Sequence, residues 1–224
     1  MPSTLFTPRV AATIDRLFAD AETADAPLRA IEAARATGDS PATPRPGSEM
    51  EAILGKSYMP VDQDAGRFLY SLVRSQASRT VVEFGTSFGI STIHLAAAVR
   101  DLGAGRVITT EMHPEKVATA RRNLAEAGLA DLVEVREGDA LKTLAGLPGS
   151  VDLLFLDGWK DICLDVLELV EPKLRPGALV VADDTDKFET VLRPYLDYVR
   201  RPENGYVSVR VPIGDGIELS VRTA

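Results

Sequence analysis

From Thr80 onward the chain alternates short apolar, β-rich runs with stretches of helical period, and no other feature constrains the fold as strongly. "TVVEFG", "RVITTE", "VEVREGD", "VDLLFLD" and "GALVVADD" read as strands. Between and after them, "STIHLAAAVRDL", "PEKVATARRNLAEAG", "ALKTLAGL", "ICLDVLELVEPKL" and "KFETVLRPYLDYVR" read as helices. Strands joined through helices run parallel, in a sheet covered on both faces. The tail "GYVSVRVPIGDGIELSVR" breaks the rhythm: two runs flank a Gly-Asp-Gly turn, which predicts a hairpin adding an antiparallel strand.

The first third reads differently. Val10, Ile14, Leu17 and Phe18 repeat at helical spacing, so residues 1–37 are expected to be helical. "GDSPATPRPGS" is a loop, "SEMEAILGK" a short helix with a Ser48/Glu51 capping box, and "QDAGRFLYSLVRSQ" a further helix. With 224 residues the chain can bury one full core. Its net charge of −8 and lack of a basic stripe argue against a nucleic-acid partner. No run is long enough to span a membrane, and "MPSTLFTPRV" lacks the apolar core of a signal peptide. The single cysteine, Cys163, excludes an internal disulfide and suits a reducing, cytoplasmic home. A small-molecule substrate is expected.

Ligands of a parallel sheet bind at the carboxyl ends of its strands, where the strand order reverses. The first strand ends in "EFGTSFGIST", where Gly85 allows a tight turn and Gly89 lets the helix pack close. The helix start and the Ser91 hydroxyl then face an anionic group. Ser87 stands where a dinucleotide loop has its second glycine, and the third is missing too, so a carboxylate-bearing nucleotide fits better than a pyrophosphate. Glu111, ending the second strand, suits two ribose hydroxyls; an acid stabilising the next helix start is the competing role. Asp139, after the third, suits an adenine amino group or an N-cap. Together these strand ends point to an adenosine-type ligand.

Asp157 ends the fourth strand, and Asp183 and Asp184 end the fifth. Three carboxylates converging on one rim would repel unless a cation neutralised them, and hard oxygen donors suit Mg²⁺, with Mn²⁺ or Ca²⁺ as alternatives. An N-cap or solvated loop start is the competing role for "ADD". Lys160 lies within reach of a substrate oxygen and could act as general base if its pKa were lowered; a surface pair with Asp161 is the alternative. Trp159 supplies a flat wall for a ring, or simply packs on a helix.

"VVEFGTSFGIS", "VITTEMHPEK", "GDA", "LFLDGWKD" and "LVVADD" resemble the class I S-adenosylmethionine-dependent O-methyltransferases, in the catechol and caffeoyl-CoA group, over roughly residues 55–224. "LDGWKD" is similar to the L-D-H-W-K-D of the catechol enzymes. The resemblance implies a Rossmann-like seven-stranded, mostly parallel sheet with an antiparallel C-terminal strand, preceded by a helical cap over residues 1–60, with residues 61–224 as the methyltransferase domain. It implies that Met59 and Val61 contact S-adenosylmethionine and that Glu83, Gly85 and Ser91 hold its amino-acid end. Glu111 would take the ribose, and Met112, Asp139, Ala140 and Trp159 the adenine surroundings, with Asp157 also beside the cofactor. Asp157, Asp183 and Asp184 would bind Mg²⁺, and Lys160 would be the base, its pKa lowered by the dication and the sulfonium.

Three positions depart from the catechol pattern. Asp184 replaces an asparagine, Gly158 replaces a histidine and is expected to open space near the cofactor, and Val209 falls where a substrate-orienting glutamate is expected. The implied reaction is divalent-metal-dependent methyl transfer to a hydroxyl of a small molecule, a vicinal diol such as a catechol-type aromatic. A metal-independent methyltransferase and a non-catalytic S-adenosylmethionine-binding protein are the alternatives. A homodimer is compatible with the group, and no membrane or nucleic-acid partner is expected.

Overall fold

The computed structural model describes residues 3–34 and 48–223. Seven strands form one sheet: β1 (Thr80–Phe84), β2 (Arg106–Glu111), β3 (Val133–Glu137), β4 (Val151–Leu156), β5 (Leu174–Asp183), β6 (Tyr206–Val211) and β7 (Ile217–Arg222), in the order β3-β2-β1-β4-β5-β7-β6. β1 to β5 run parallel, and β7 enters antiparallel between β5 and the edge strand β6. The sheet and its antiparallel C-terminal hairpin are as expected. Strand order reverses between β1 and β4, which places the ligand crevice there.

The N-terminal helix expected over 1–37 is divided. α1 (Pro8–Ala24) opens with proline at a position that has no N–H to lose, and it buries Val10, Thr13, Leu17 and Ala21 along one stripe. Asp25 ends it, and α2 (Ala26–Ala34) follows at once. α3 (Glu49–Leu54) is as expected; Ser48 accepts the Ala52 N–H through its carbonyl, while the Glu51 side chain and the 38–47 loop lie outside the described residues. α4 (Gln63–Gln76) starts at Asp62, whose carboxylate caps the Asp64 N–H, and closes on Ala77 in the left-handed region.

α5 (Ile90–Leu102) is buried all round from Ile90 to Val99, the signature of a helix enclosed between sheet and further helices. Leu17, Leu69, Ile93 and Phe155 join α1, α4, α5 and the sheet in one core. Each such side chain contributes about 2 kcal/mol through burial. α6 (Pro114–Ala127) follows β2, and α7 (Ala140–Thr143) is half its expected length because glycine and proline at 146 and 148 stop it. α8 (Cys163–Val170) also ends early, at the Pro172 turn, which lets β5 begin at Leu174 rather than Gly177. α9 (Glu189–Val199) covers the second face, where Val166, Leu167, Leu192 and Tyr195 pack under β4 and β5.

Candidate active site

A cavity of about 420 Å³ opens at the carboxyl ends of β1 to β5. Four of its walls come from strand ends. After β1, Gly85 adopts φ +103, and a Cβ there would lie 2.6 Å from the Asp157 carbonyl oxygen, so only glycine lets the β1 and β4 ends approach this closely. Gly85 and Thr86 donate their N–H groups to the Thr110 carbonyl of β2, and Gly89, at φ +93, starts α5. Gly85, Ser87 and Ser91 all line the cavity.

Glu83 does not. It is fully buried beneath the floor, where it accepts the hydroxyls of Ser91 (2.6 Å) and Thr92 (2.5 Å). Burial pushes its carboxyl up to about 7, against the pull of those hydroxyls and of Thr109. The expected direct hold on the cofactor's amino-acid end is therefore corrected: Glu83 orients Ser91, and Ser91 faces the ligand space.

At the end of β2, Glu111 accepts the Ser87 N–H through one oxygen and the His113 N–H through the other, both at 2.9 Å. Its two oxygens are thereby fixed at the cavity wall, with Met112 half-exposed beside it. Asp139, after β3, caps the Leu141 N–H at 3.0 Å and lines the cavity too, so the N-cap role is realised at the expected position. Ala140 lies next to it, and Met59 and Val61 complete this end from the segment before α4.

Phe84 and Trp159 line the cavity near the β4 end. The expectation that Gly158 opens space is wrong: a Cβ there would sit 2.3 Å from the Phe84 ring, which occupies the room a larger residue 158 would need. Trp159 both lines the cavity and packs on the α8–α9 core, so its two readings coexist.

The acidic rim differs most from expectation. Lys160 places its ammonium 2.8 Å from Asp157 Oδ1 and 3.1 Å from Asp184 Oδ2, and it donates to the Asp183 carbonyl at 3.3 Å. Among the described residues no three acidic, histidine or cysteine side chains are gathered as metal ligands. Asp157 and Asp184 line the main cavity, whereas Asp183 faces a smaller cleft of about 230 Å³ shared with Asp62, Asp184 and Asp215. In this arrangement Asp157, Asp183 and Asp184 are not gathered around one point. The ammonium sits between two of the carboxylates and takes the place of a bridging cation. Lys160 thus pairs with Asp157 and Asp184.

The electrostatics follow from burial. Desolvation raises Asp157 to about 6 despite the nearby ammonium, and desolvation with the neighbouring carboxylates raises Asp183 well above the usual range. Burial alone would lower Lys160, but Asp157, Asp184 and Asp183 outweigh it and hold it well above an ordinary lysine. In this arrangement Lys160 is a held cation, opposite in direction to the lowered pKa a base requires. The donor chemistry still suits a hard dication: Asp157 and Asp184 share one ammonium, and Asp183 adds a third carboxylate at the same sheet end.

Val209 sits on β6, exposed and away from the cavity, opposite Leu219. The residue this hairpin delivers to the cavity is Asp215, from the Gly-Asp-Gly turn, 4.0 Å from Lys187. Sequence reading also missed Asp25, Tyr58, Lys116 and Phe188 as cavity residues. Only the turn carried a visible signal.

A family model described as a methyltransferase domain matches residues 82–185. Catechol O-methyltransferase of Mycobacterium tuberculosis is 41% identical over 126 residues, 55% of this chain and 56% of that protein, so the chain spans little more than half the length of this relative. Caffeoyl-CoA O-methyltransferase 1 of Eucalyptus globulus is 27% identical over 207 residues, covering 81% of this chain and 83% of that one. The structure of an O-methyltransferase from Bacillus cereus in complex with SAH superposes with a TM-score of 0.67 at 26% identity, over 78% of this chain and 88% of that chain. With the strand order, the Gly85–Gly89 loop and Glu111 in place, these likenesses support a class I O-methyltransferase, similar in sequence to the catechol and caffeoyl-CoA enzymes.

Proposed function

We propose that the protein moves the methyl group of S-adenosylmethionine to a hydroxyl of a small molecule, a vicinal diol such as a catechol-type aromatic. One observation carries this reading. A single cavity holds both an adenosine-shaped set of strand ends (Gly85, Ser91, Glu111, Asp139) and, beside it, Asp157, Lys160 and Asp184. The names of the relatives support a diol or caffeoyl-type acceptor.

In this reading Glu111 receives the ribose hydroxyls, and the loop from Gly85 to Ser91 receives the amino-acid end. Met59, Val61, Met112, Ala140 and Trp159 enclose the rest. A divalent cation, Mg²⁺ by the hardness of the donors, would be held by Asp157, Asp183 and Asp184, and would stabilise the acceptor's oxyanion. Gathering those side chains requires Lys160 to leave its bridging place. Released from Asp157 and Asp184, Lys160 would first lose its ammonium proton to solvent and, as the neutral amine, take the acceptor's proton as the O–H bond breaks, the O–CH₃ bond forms and the S–CH₃ bond breaks to leave the thioether. Alignment of oxygen, carbon and sulfur supplies much of the acceleration, with effective molarities of about 10⁵ M or more.

A second reading has support from Lys160 itself. Its ammonium already bridges Asp157 and Asp184, so a metal-independent transferase would use that cation to hold an acceptor oxygen. Calorimetric titration with S-adenosylmethionine and with NAD tests the donor site; binding of NAD alone would overturn it. Transfer of labelled methyl to a panel of vicinal-diol aromatics and sugars, before and after chelation, decides between the two modes. Activity restored only by Mg²⁺ or Mn²⁺ supports the first, and activity indifferent to chelation the second.

A further inference from the structure

Asp25 is buried at the break between α1 and α2, yet it carries out no part of the chemistry above. Its two oxygens accept the backbone N–H groups of Tyr58 (2.5 Å) and Met59 (2.9 Å), 33 and 34 residues further on. Met59 is held there at φ +46, a conformation that costs a non-glycine residue about 1 kcal/mol. The Tyr58 carbonyl accepts the Ser87 hydroxyl at 2.8 Å, and the Tyr58 ring stacks on Phe88 with centroids 3.9 Å apart. Lys116, 2% exposed, donates to the same Ser87 hydroxyl at 3.3 Å and lies 5.4 Å over Phe88. Its charge is disfavoured by burial and supported by the charges of Glu111 and Asp25. Ser87 closes the circuit by donating its N–H to Glu111.

We infer that Asp25 and Lys116 are positioning residues of the cofactor site, locking the Tyr58–Met59 segment onto the Ser87 loop so that the N-terminal helices and the ribose-holding Glu111 form one unit. The inference rests on the reading that this cavity takes S-adenosylmethionine. The circuit joins four separate pieces of chain, and every member lines the cavity wall. Buried hydrogen bonds to a charged group are stronger than those between neutral groups, enough to change the affinity of whatever this wall encloses by about tenfold or more. Neither residue touches the acceptor rim at Asp157 and Asp184, so their effect belongs to cofactor binding and not to the methyl-transfer step.

The test measures SAH binding by calorimetry, amide exchange of residues 57–61, and KM and kcat for S-adenosylmethionine in Asp25→Asn, Lys116→Met and the double variant. Each single change is expected to weaken SAH and raise KM by at least about tenfold, with kcat at saturation within about twofold. The double variant should lose far less than the product of the singles, and amides 57–59 should exchange faster in all three. Ser87→Ala removes a neutral hydroxyl rather than a charged group and should show the same pattern at about threefold amplitude, which keeps the test open if Asp25→Asn folds poorly. Unchanged SAH affinity in the variants, multiplicative losses, or a fall in kcat at unchanged KM would overturn the inference alone. Wild-type protein that fails to bind SAH would overturn the reading beneath it, and this inference with it.

Discussion

Individual residues in this site are defined more by their neighbours than by their type. Lys160 between Asp157 and Asp184 is the clearest case. Lys160→Met is expected to cut turnover by about 10²–10⁴-fold while leaving SAH affinity within about threefold, read by steady-state kinetics and calorimetry. It should also tighten Mn²⁺ binding, because it removes the cation already on those carboxylates. Glu83 makes a different prediction. Its folded-state pKa, about 7, lies above the ordinary value of 4.5, so the folded protein holds the extra proton between those limits. Stability from this group is full at low pH, falls as pH rises through that window, and is lost above it, by about 3 kcal/mol. Urea denaturation at pH 5 and pH 8 should show this drop in wild type and a smaller one in Glu83→Gln. Gly158 and Phe84 were legible only as types: "LDGWKD" announces a strand-end site but carries no sign that a ring from β1 fills the space beside the glycine. Gly158→Ala should cost about 1–3 kcal/mol by urea denaturation, with part regained in Phe84→Leu.

Elements were the most legible level, for a physical reason. Parallel strands buried on both faces must be continuously apolar, and "VDLLFLD" and "GALVVADD" cannot be mistaken for the amphipathic runs around them. α4 lies over the residues its sequence predicts, because Asp62 caps its start and Ala77 closes its end. Errors fall where two signals compete: α8 loses its last turn to Pro172, and the N-terminal helix breaks at Asp25, whose partners are far along the chain. Such long-range bonds leave no local pattern. The same is true of β7, where Glu218 is fully buried in the sheet and neutralised by Arg200 from α9 at 2.7 Å. Arg200→Met should cost about 2 kcal/mol in urea denaturation by leaving that carboxylate unpaired.

For the whole molecule, the fold and the cavity residues at the ends of β1, β2 and β3 were readable from the strand pattern, while the arrangement of the acid rim was not. Gly85, Glu111 and Asp139 each follow a strand whose place in a parallel sheet is set by topology, so they meet whatever surrounds them. The ends of β4 and β5 also meet, but side-chain direction decides what they do there, and it sends Asp183 to the smaller cleft. Among the described residues no helix is long and apolar enough to cross a membrane. Occupancy of the donor site should stabilise the whole fold: SAH at about 100 times its Kd adds about 2.7 kcal/mol, a rise in Tm of about 5–10 °C by differential scanning fluorimetry.

The C-terminal hairpin has a consequence for how such a protein diversifies. The turn carrying Asp215 lines one end of the cavity, yet it is anchored by β6, β7 and the backbone of residues 185–187 and shares no backbone bond with β1, β2 or β3. Substitutions in that turn can therefore reshape one end of the cavity while the strand ends around Gly85, Glu111 and Asp139 keep their geometry.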